Sequence, residues 1–333
     1  MKKILLTGSE GFIGSHLLEA LVINGFKVKA LVQYNSFSNK GWIEYIDSKI
    51  FKEIDIVYGD IRDNEYIYNQ TKNVDTIINL AALISIPYSY EAYSSYIDTN
   101  LKGTLACLNA VKKRNHLELI NTSTSEVYGS ALYTPIDEKH PLQAQSPYSA
   151  SKIAADKMVE AFYNSYNLPV STLRPFNTFG PRQSIRAVIP TIILQLLDDK
   201  KKSISLGALN PTRDLNYVTD TVSGFILALK SKKIYGEVIN IGSGYDISIK
   251  DLAQELIKIV GISKRIISKN QRLRPKKSEV LRLVCDNSKA KKLINWKSNY
   301  SKKDGLIKGL KNTVNWFKEE ENQKIYKNFE FMK

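Results

Sequence analysis

Lys3-Ile4-Leu5-Leu6-Thr7-Gly8-Ser9-Glu10-Gly11-Phe12-Ile13-Gly14 decides how this chain must fold. A short apolar run suited to a buried strand leads straight into three glycines, and an apolar-periodic stretch running to Asn24 follows. Gly8 permits a tight turn out of the strand. Gly11 lets the backbone approach a pyrophosphate, and Gly14 allows the helix to pack closely on the strand. The first N–H groups of that helix, around Phe12 and Ile13, then face the phosphates with their partial positive charge. Three glycines alone make a turn; set between strand and helix they make a dinucleotide site.

Outward from this motif the same rhythm repeats. Residues 27–32, 54–58, 76–80, 117–122 and 170–174 read as further strands, several apolar on both faces, as a parallel sheet covered by helices requires. Helical patterns fall at 12–24, 64–71, 98–113 and 147–166. This β-α-β alternation predicts an α/β, Rossmann-type, doubly wound parallel sheet over residues 1–175. After Pro175 the elements shorten: helices near 187–200, 248–260, 286–294 and 303–320, with a strand at 237–241. Residues 176–333 are expected to form a smaller, interleaved lobe, with some segments returning to the first domain.

Composition narrows the class. A chain of 333 residues, 43% hydrophobic and 24% charged, has the make-up of a globular protein. The apolar start is cut by Gly8, Glu10 and Gly11, too early for a signal peptide. The run 188–197 contains Pro190, Thr191 and Gln195 and is about half a membrane span. Cys107 and Cys285 have no second metal ligand nearby, so neither a disulfide framework nor a metal site is expected. A cytoplasmic location fits. Of the net charge of +15, residues 264–333 carry +13, with 20 Lys/Arg against 7 Asp/Glu. Such a lobe can attract an anionic ligand, nucleic acid or an anionic membrane surface; solvated lysines are the plainer reading.

A second motif stands at Tyr148-Ser149-Ala150-Ser151-Lys152. Ser146 suits an N-cap and Pro147 the first helical position, so a helix begins here with Tyr148 and Lys152 on one face. An ammonium near a phenol favours the phenolate, which makes the tyrosine a usable base. The strand before it ends in Ser123-Thr124-Ser125-Glu126-Val127-Tyr128-Gly129.

The G-x-x-G-x-x-G spacing together with Tyr148 and Lys152 resembles the extended short-chain dehydrogenase/reductase superfamily, in the epimerase/dehydratase branch that acts on nucleotide-sugars. The resemblance implies that Asp60 and Ile61, in Gly59-Asp60-Ile61-Arg62-Asp63, contact adenine. It likewise implies that Leu80, Ala81 and Ala82 lie beside the cofactor ribose. Where such enzymes offer an acid to the ribose hydroxyls, this chain reads Val32-Gln33-Tyr34-Asn35-Ser36. Gln33 takes that place, so NAD and NADP both remain open, with NAD slightly favoured. Thr124 matches the hydroxyl that bonds the sugar oxygen. Sugar 4,6-dehydratases carry Thr-Asp-Glu here, the Glu removing the C5 proton and the Asp protonating the departing C6 hydroxyl. Ser125 replaces that Asp and Glu126 is kept. Thr-Ser-Glu resembles the GDP-mannose 4,6-dehydratases, and a buried Glu without a task is costly.

On the substrate side, Asn177 matches a residue that reaches the substrate phosphates, and Arg213 and Arg274 match two pyrophosphate grips. Glu279 matches a group near the nucleotide ribose. Arginine suits phosphate because its planar fork bonds two oxygens together. Residues 31–37 and 82–90 look like segments of the dehydratases acting on nucleotide-linked N-acetylglucosamine in legionaminic acid pathways, which implies that Ile84 and Ser85 line the sugar pocket. GDP is favoured over UDP. A homodimer formed through helices 98–113 and 147–166 is expected from the resemblance, with neither nucleic acid nor membrane as partner. Two rivals stand beside this reading: a nucleotide-sugar 4-epimerase, and a non-catalytic RNA-binding or sensor protein using the basic lobe.

Overall fold

The computed structural model describes residues 1–327; residues 328–333 of the basic C-terminal stretch lie outside it. The strands in chain order are β1 (Lys3–Thr7), β2 (Lys27–Gln33), β3 (Ile54–Gly59), β4 (Thr76–Asn79), β5 (Glu118–Thr122), β6 (Val170–Pro175) and β7 (Asn177–Phe179), followed by β8 (Ser203–Leu206), β9 (Thr212–Tyr217), β10 (Val238–Ile241), β11 (Asp246–Ser248), β12 (Arg265–Ser268) and β13 (Arg282–Leu283). Seven of them form one parallel sheet in the order β10-β6-β5-β4-β1-β2-β3. The chain runs outward through β1, β2 and β3, then returns to lay β4 on the other side of β1. The crevice of such a sheet opens above β1 and β4, where the direction of winding changes.

Successive side chains of β1 serve opposite faces. Ile4 and Leu6 join the larger apolar cluster with Leu17 and Leu18 of helix Phe12–Ile23. Leu5 joins the other cluster with Ala106, Leu108 and Val159, from helices Gly103–Lys113 and Pro147–Tyr166. All three strand residues are fully buried, and each such side chain contributes roughly 2 kcal/mol. Burial on both faces explains why the strand is apolar throughout.

The expected strand at 237–241 appears as β10 and pairs in parallel with β6, Val238 opposite Thr172 and Ile241 opposite Pro175. The later chain therefore closes one edge of the first sheet. Other strands of this half escaped the apolar pattern. β9 is flanked by β11 and β13 and also pairs with β7, while β8 pairs with β12. β9 reads Thr-Arg-Asp-Leu-Asn-Tyr, and its Arg213, Asp214 and Asn216 are buried polar residues that hide a strand from any hydrophobicity rule. Asp214 shows how they are kept: its carboxylate accepts from the N–H groups of Ser243, Gly244 and Cys285 and from the Ser243 hydroxyl.

The helix expected at 98–113 begins with a π-helical stretch, Ile97–Lys102, before its α-helical part. Asn100, in that stretch, accepts from Leu83 N and donates to Leu83 O and to the Ser151 hydroxyl. One side chain thus ties the loop after β4 to the helix that carries Tyr148.

Candidate active site

The glycine turn is built on close approach. Gly8 has φ +65°, and a Cβ there would lie 2.8 Å from Ala81 N. A Cβ on Gly14 would lie 2.0 Å from Gly8 O, an impossible contact. Thr7 fixes the neighbouring strand end, its hydroxyl donating to Asn79 Oδ1 and accepting from Leu80 N and Ala81 N. Helix Phe12–Ile23 starts at Gly11 with no side-chain cap and no acidic residue in its first turn, which leaves its N–H groups to an anion. A dinucleotide pyrophosphate fits this cradle, because the space it needs is space that side chains would fill.

At the ends of β2 and β3, Gln33 is exposed and its backbone N–H donates to Glu10 Oε1 at 3.0 Å. Asp60 is gripped by Arg62, whose Nε lies 2.9 Å and 3.0 Å from the two carboxylate oxygens, and this holds the Asp60 pKa below its ordinary value. The Ile61 side chain is buried against Gly103, so only its backbone is available to a ligand. Leu80, Ala81 and Ala82 follow β4 at half-buried positions beside Gly8.

Tyr148 lies in the first turn of helix Pro147–Tyr166, which opens with a reciprocal capping box between Ser146 and Ser149. Its ring packs edge-on against fully buried Tyr96, whose hydroxyl donates to Ser85 O. Thr124 hydrogen-bonds the Tyr148 phenol and accepts from Glu126 N at 3.2 Å. Burial raises the pKa of the phenol strongly; the Thr124 bond opposes this, and the nearby charge of Glu126 adds to it. Lys152, 4% exposed, donates to Thr122 O at 2.6 Å, and burial brings its pKa down to about 8.

Ser125 and Glu126 are buried in a short 3₁₀ turn at the top of β5, Glu126 only 7% exposed. Among the described residues none hydrogen-bonds the Glu126 carboxylate, yet its charge acts on both Tyr148 and Arg213. The phenol, the carboxylate and the Arg213 guanidinium thus converge. Arg213 bonds Glu279 at 3.2 Å, and Arg274 approaches the same carboxylate at 4.0 Å. Asn177 Oδ1 and Arg274 Nη1 are buried without a hydrogen-bond partner. Ser85 caps helix Ile86–Glu91 without a side-chain bond, and Ile84 is exposed beside it.

Thr7, Glu10 and Asn100 brace the candidate site without having been read from the sequence: Thr7 and Glu10 lie in the glycine motif, where only the charge of Glu10 marks it out, and Asn100 lies in a stretch read as helix alone.

A family model described as GDP-mannose 4,6 dehydratase matches residues 5–308. The chain belongs to this family. Human dTDP-D-glucose 4,6-dehydratase is 32% identical over 263 residues, which cover 78% of this chain and 74% of the relative. The crystal structure of dTDP-glucose 4,6-dehydratase from Bacillus anthracis, in complex with NAD, superimposes with a TM-score of 0.83 at 29% identity, covering 99% of each chain. UDP-glucuronic acid 4-epimerase from Bacillus cereus, in complex with UDP-glucuronic acid and NAD, gives 0.84 at 28% identity, covering 97% of this chain and 100% of that one. The family fold therefore has both dehydratase and epimerase relatives, and what separates the two chemistries must be sought in the residues around the tyrosine.

Proposed function

We propose that this protein is an NAD-using nucleotide-sugar 4,6-dehydratase that converts GDP-linked, or UDP-linked, N-acetylglucosamine to the 4-keto-6-deoxy sugar. One observation carries the choice of dehydration over epimerisation. Glu126 is a largely buried residue whose carboxylate oxygens make no hydrogen bond among the described residues, and its charge reaches the tyrosine that would hold the sugar. A carboxylate held beside that tyrosine and not spent on a hydrogen bond is available as a base.

Gly8, Gly11, Phe12, Ile13 and Gly14 would hold the dinucleotide pyrophosphate, with Gln33, Asp60, Ile61, Leu80, Ala81 and Ala82 along the adenosine side. When bound, the nicotinamide supplies a reversible hydride store, so the hydrogen lost from C4 is regained at C6. Tyr148 takes the C4 hydroxyl proton in its phenolate form; burial opposes that form in the free protein, Thr124 favours it, and Lys152 is held on Thr122 O one turn away. The C4 ketone acidifies the C5 proton, which Glu126 removes. With Ser125 in place of an aspartate, Glu126 returns that proton to the C6 hydroxyl, which leaves as water; Glu126, reprotonated from solvent, then delivers a proton to C5 as hydrogen is regained at C6. Ile84 and Ser85 would line the sugar; Asn177, Arg213, Arg274 and Glu279 would hold the nucleotide diphosphate. This assigns residues 1–175 to the dinucleotide and residues 176–333 to the substrate.

N-acetylglucosamine is supported by the likeness of residues 31–37 and 82–90 to dehydratases of legionaminic acid pathways, and GDP by the Thr-Ser-Glu sequence. No helix among the described residues is long and apolar enough to cross a membrane, and we place the enzyme in the cytoplasm as a homodimer. Mass spectrometry of incubations with GDP- and UDP-N-acetylglucosamine tests the reading. A product lighter by one water supports it, and an isomer of unchanged mass makes the protein an epimerase.

A further inference from the structure

Glu10 sits inside the glycine turn, where a carboxylate so near a pyrophosphate site calls for a reason. It is held from several sides. Its carbonyl accepts from Trp42 N at 3.0 Å, and Gly41, at φ +54°, passes so close that a Cβ there would lie 2.6 Å from that oxygen. Its side chain leaves the turn and reaches the end of β2, where Oε1 accepts from Gln33 N at 3.0 Å. The second oxygen, Oε2, is buried and has no hydrogen-bond partner, and among the described residues no lysine or arginine pairs with the group. A carboxylate placed only to close the loop would have had both oxygens satisfied.

The end of β2 is where a Rossmann site that takes NAD presents an acid to the ribose, and where one that takes NADP presents an arginine. In this chain the strand ends in Gln33-Tyr34-Asn35 and offers neither. We propose that Glu10 supplies the missing acid from the first strand's turn: Oε1, anchored on the Gln33 amide, keeps a second lone pair for a ribose hydroxyl, and the buried Oε2, with no cation beside it, leaves the negative charge of the group uncancelled there. A phosphate on that ribose would meet a buried carboxylate, so Glu10 selects NAD against NADP. The inference rests on the dinucleotide reading above and makes Glu10 a specificity-determining residue.

Titration calorimetry of the full chain with NAD and with NADP tests it without reference to turnover. The wild-type protein binds NAD more tightly by about tenfold or more, and Glu10→Gln, which keeps an acceptor for Gln33 N, narrows that ratio by about tenfold, mainly by tightening NADP. An unchanged ratio in a folded Glu10→Gln protein, or a wild-type preference for NADP, overturns the assignment. Binding of neither dinucleotide overturns the site reading itself, which keeps the two failures apart. If Glu10→Gln does not fold, competition on the wild-type protein decides between adenosine 5′-monophosphate and adenosine 2′,5′-bisphosphate. Preference for the first supports Glu10 as selector, and preference for the second removes it.

Discussion

Lys152 turns its ammonium onto the carbonyl oxygen of Thr122, 2.6 Å away, and not onto the phenol of Tyr148 one turn back. The lysine thereby fastens helix Pro147–Tyr166 to the end of β5, and it sits where a proton is easily lost. Its pKa lies near 8 because burial penalises the charge, with Asp156 opposing. The ammonium is present below that pH and disappears above it. Turnover should therefore show an alkaline limb near pH 8, read from kcat against pH. Between the folded value of about 8 and the ordinary value of 10.5, the unfolded chain binds the extra proton, so this group makes stability rise with pH across that window. Lys152→Met should stabilise the fold at pH 7 by about 2 kcal/mol in urea denaturation while abolishing turnover. A variant as active as wild type would remove Lys152 from the site.

Glu126→Gln keeps the size of the side chain and removes the base. Dehydrated product should fall by about 10²–10⁴-fold, with substrate affinity nearly unchanged. The discriminating measurement is solvent deuterium incorporation at C5. A variant that still washes deuterium into C5 has another base at work.

Arg174 and Asp156 form a buried ion pair at 3.0 Å beneath the same helix, with Ser123 also donating to Asp156 and Arg174 donating to the Tyr128 hydroxyl. Removing one partner strands the other charge in the core. Arg174→Leu should cost about 3–5 kcal/mol of stability, and adding Asp156→Asn should recover part of it. Chemical denaturation of the single and double variants gives the coupling; strict additivity would deny the pair.

Gly14→Ala asks a methyl group to occupy a point 2.0 Å from Gly8 O. The turn must shift, at a cost of about 3 kcal/mol or more, and dinucleotide affinity should fall together with stability. Tight NAD binding by a fully stable Gly14→Ala protein would mean the turn is not the cradle.

The first half of the molecule was legible because burial on both faces of β1 and its neighbours writes long apolar runs between glycine-marked turns. Residues 3–7, read as a strand, are β1 to the residue. The second half was harder for a physical reason. β9 carries Arg213 and Asp214 into the interior on hydrogen bonds with residues far along the chain, and no local pattern announces such partners. The placement of the candidate site was legible wherever a residue type recurs at a fixed spacing, as with Tyr148 and Lys152 on one helix. It was illegible where a side chain acts across loops, as Asn100 does on Leu83 and Glu10 on Gln33.

The pairing of β10 with β6 has an outcome for biosynthesis. A ribosome that has released only the first 175 residues has exposed a β6 whose outer edge still lacks its mate, since that mate begins at Val238. Unpaired parallel edges recruit other chains, and contacts so distant in sequence form slowly. The nascent polypeptide must pass through a vulnerable interval before its sheet is sealed, and a gene truncated at Pro175 should yield inclusion bodies instead of a free-standing cofactor module.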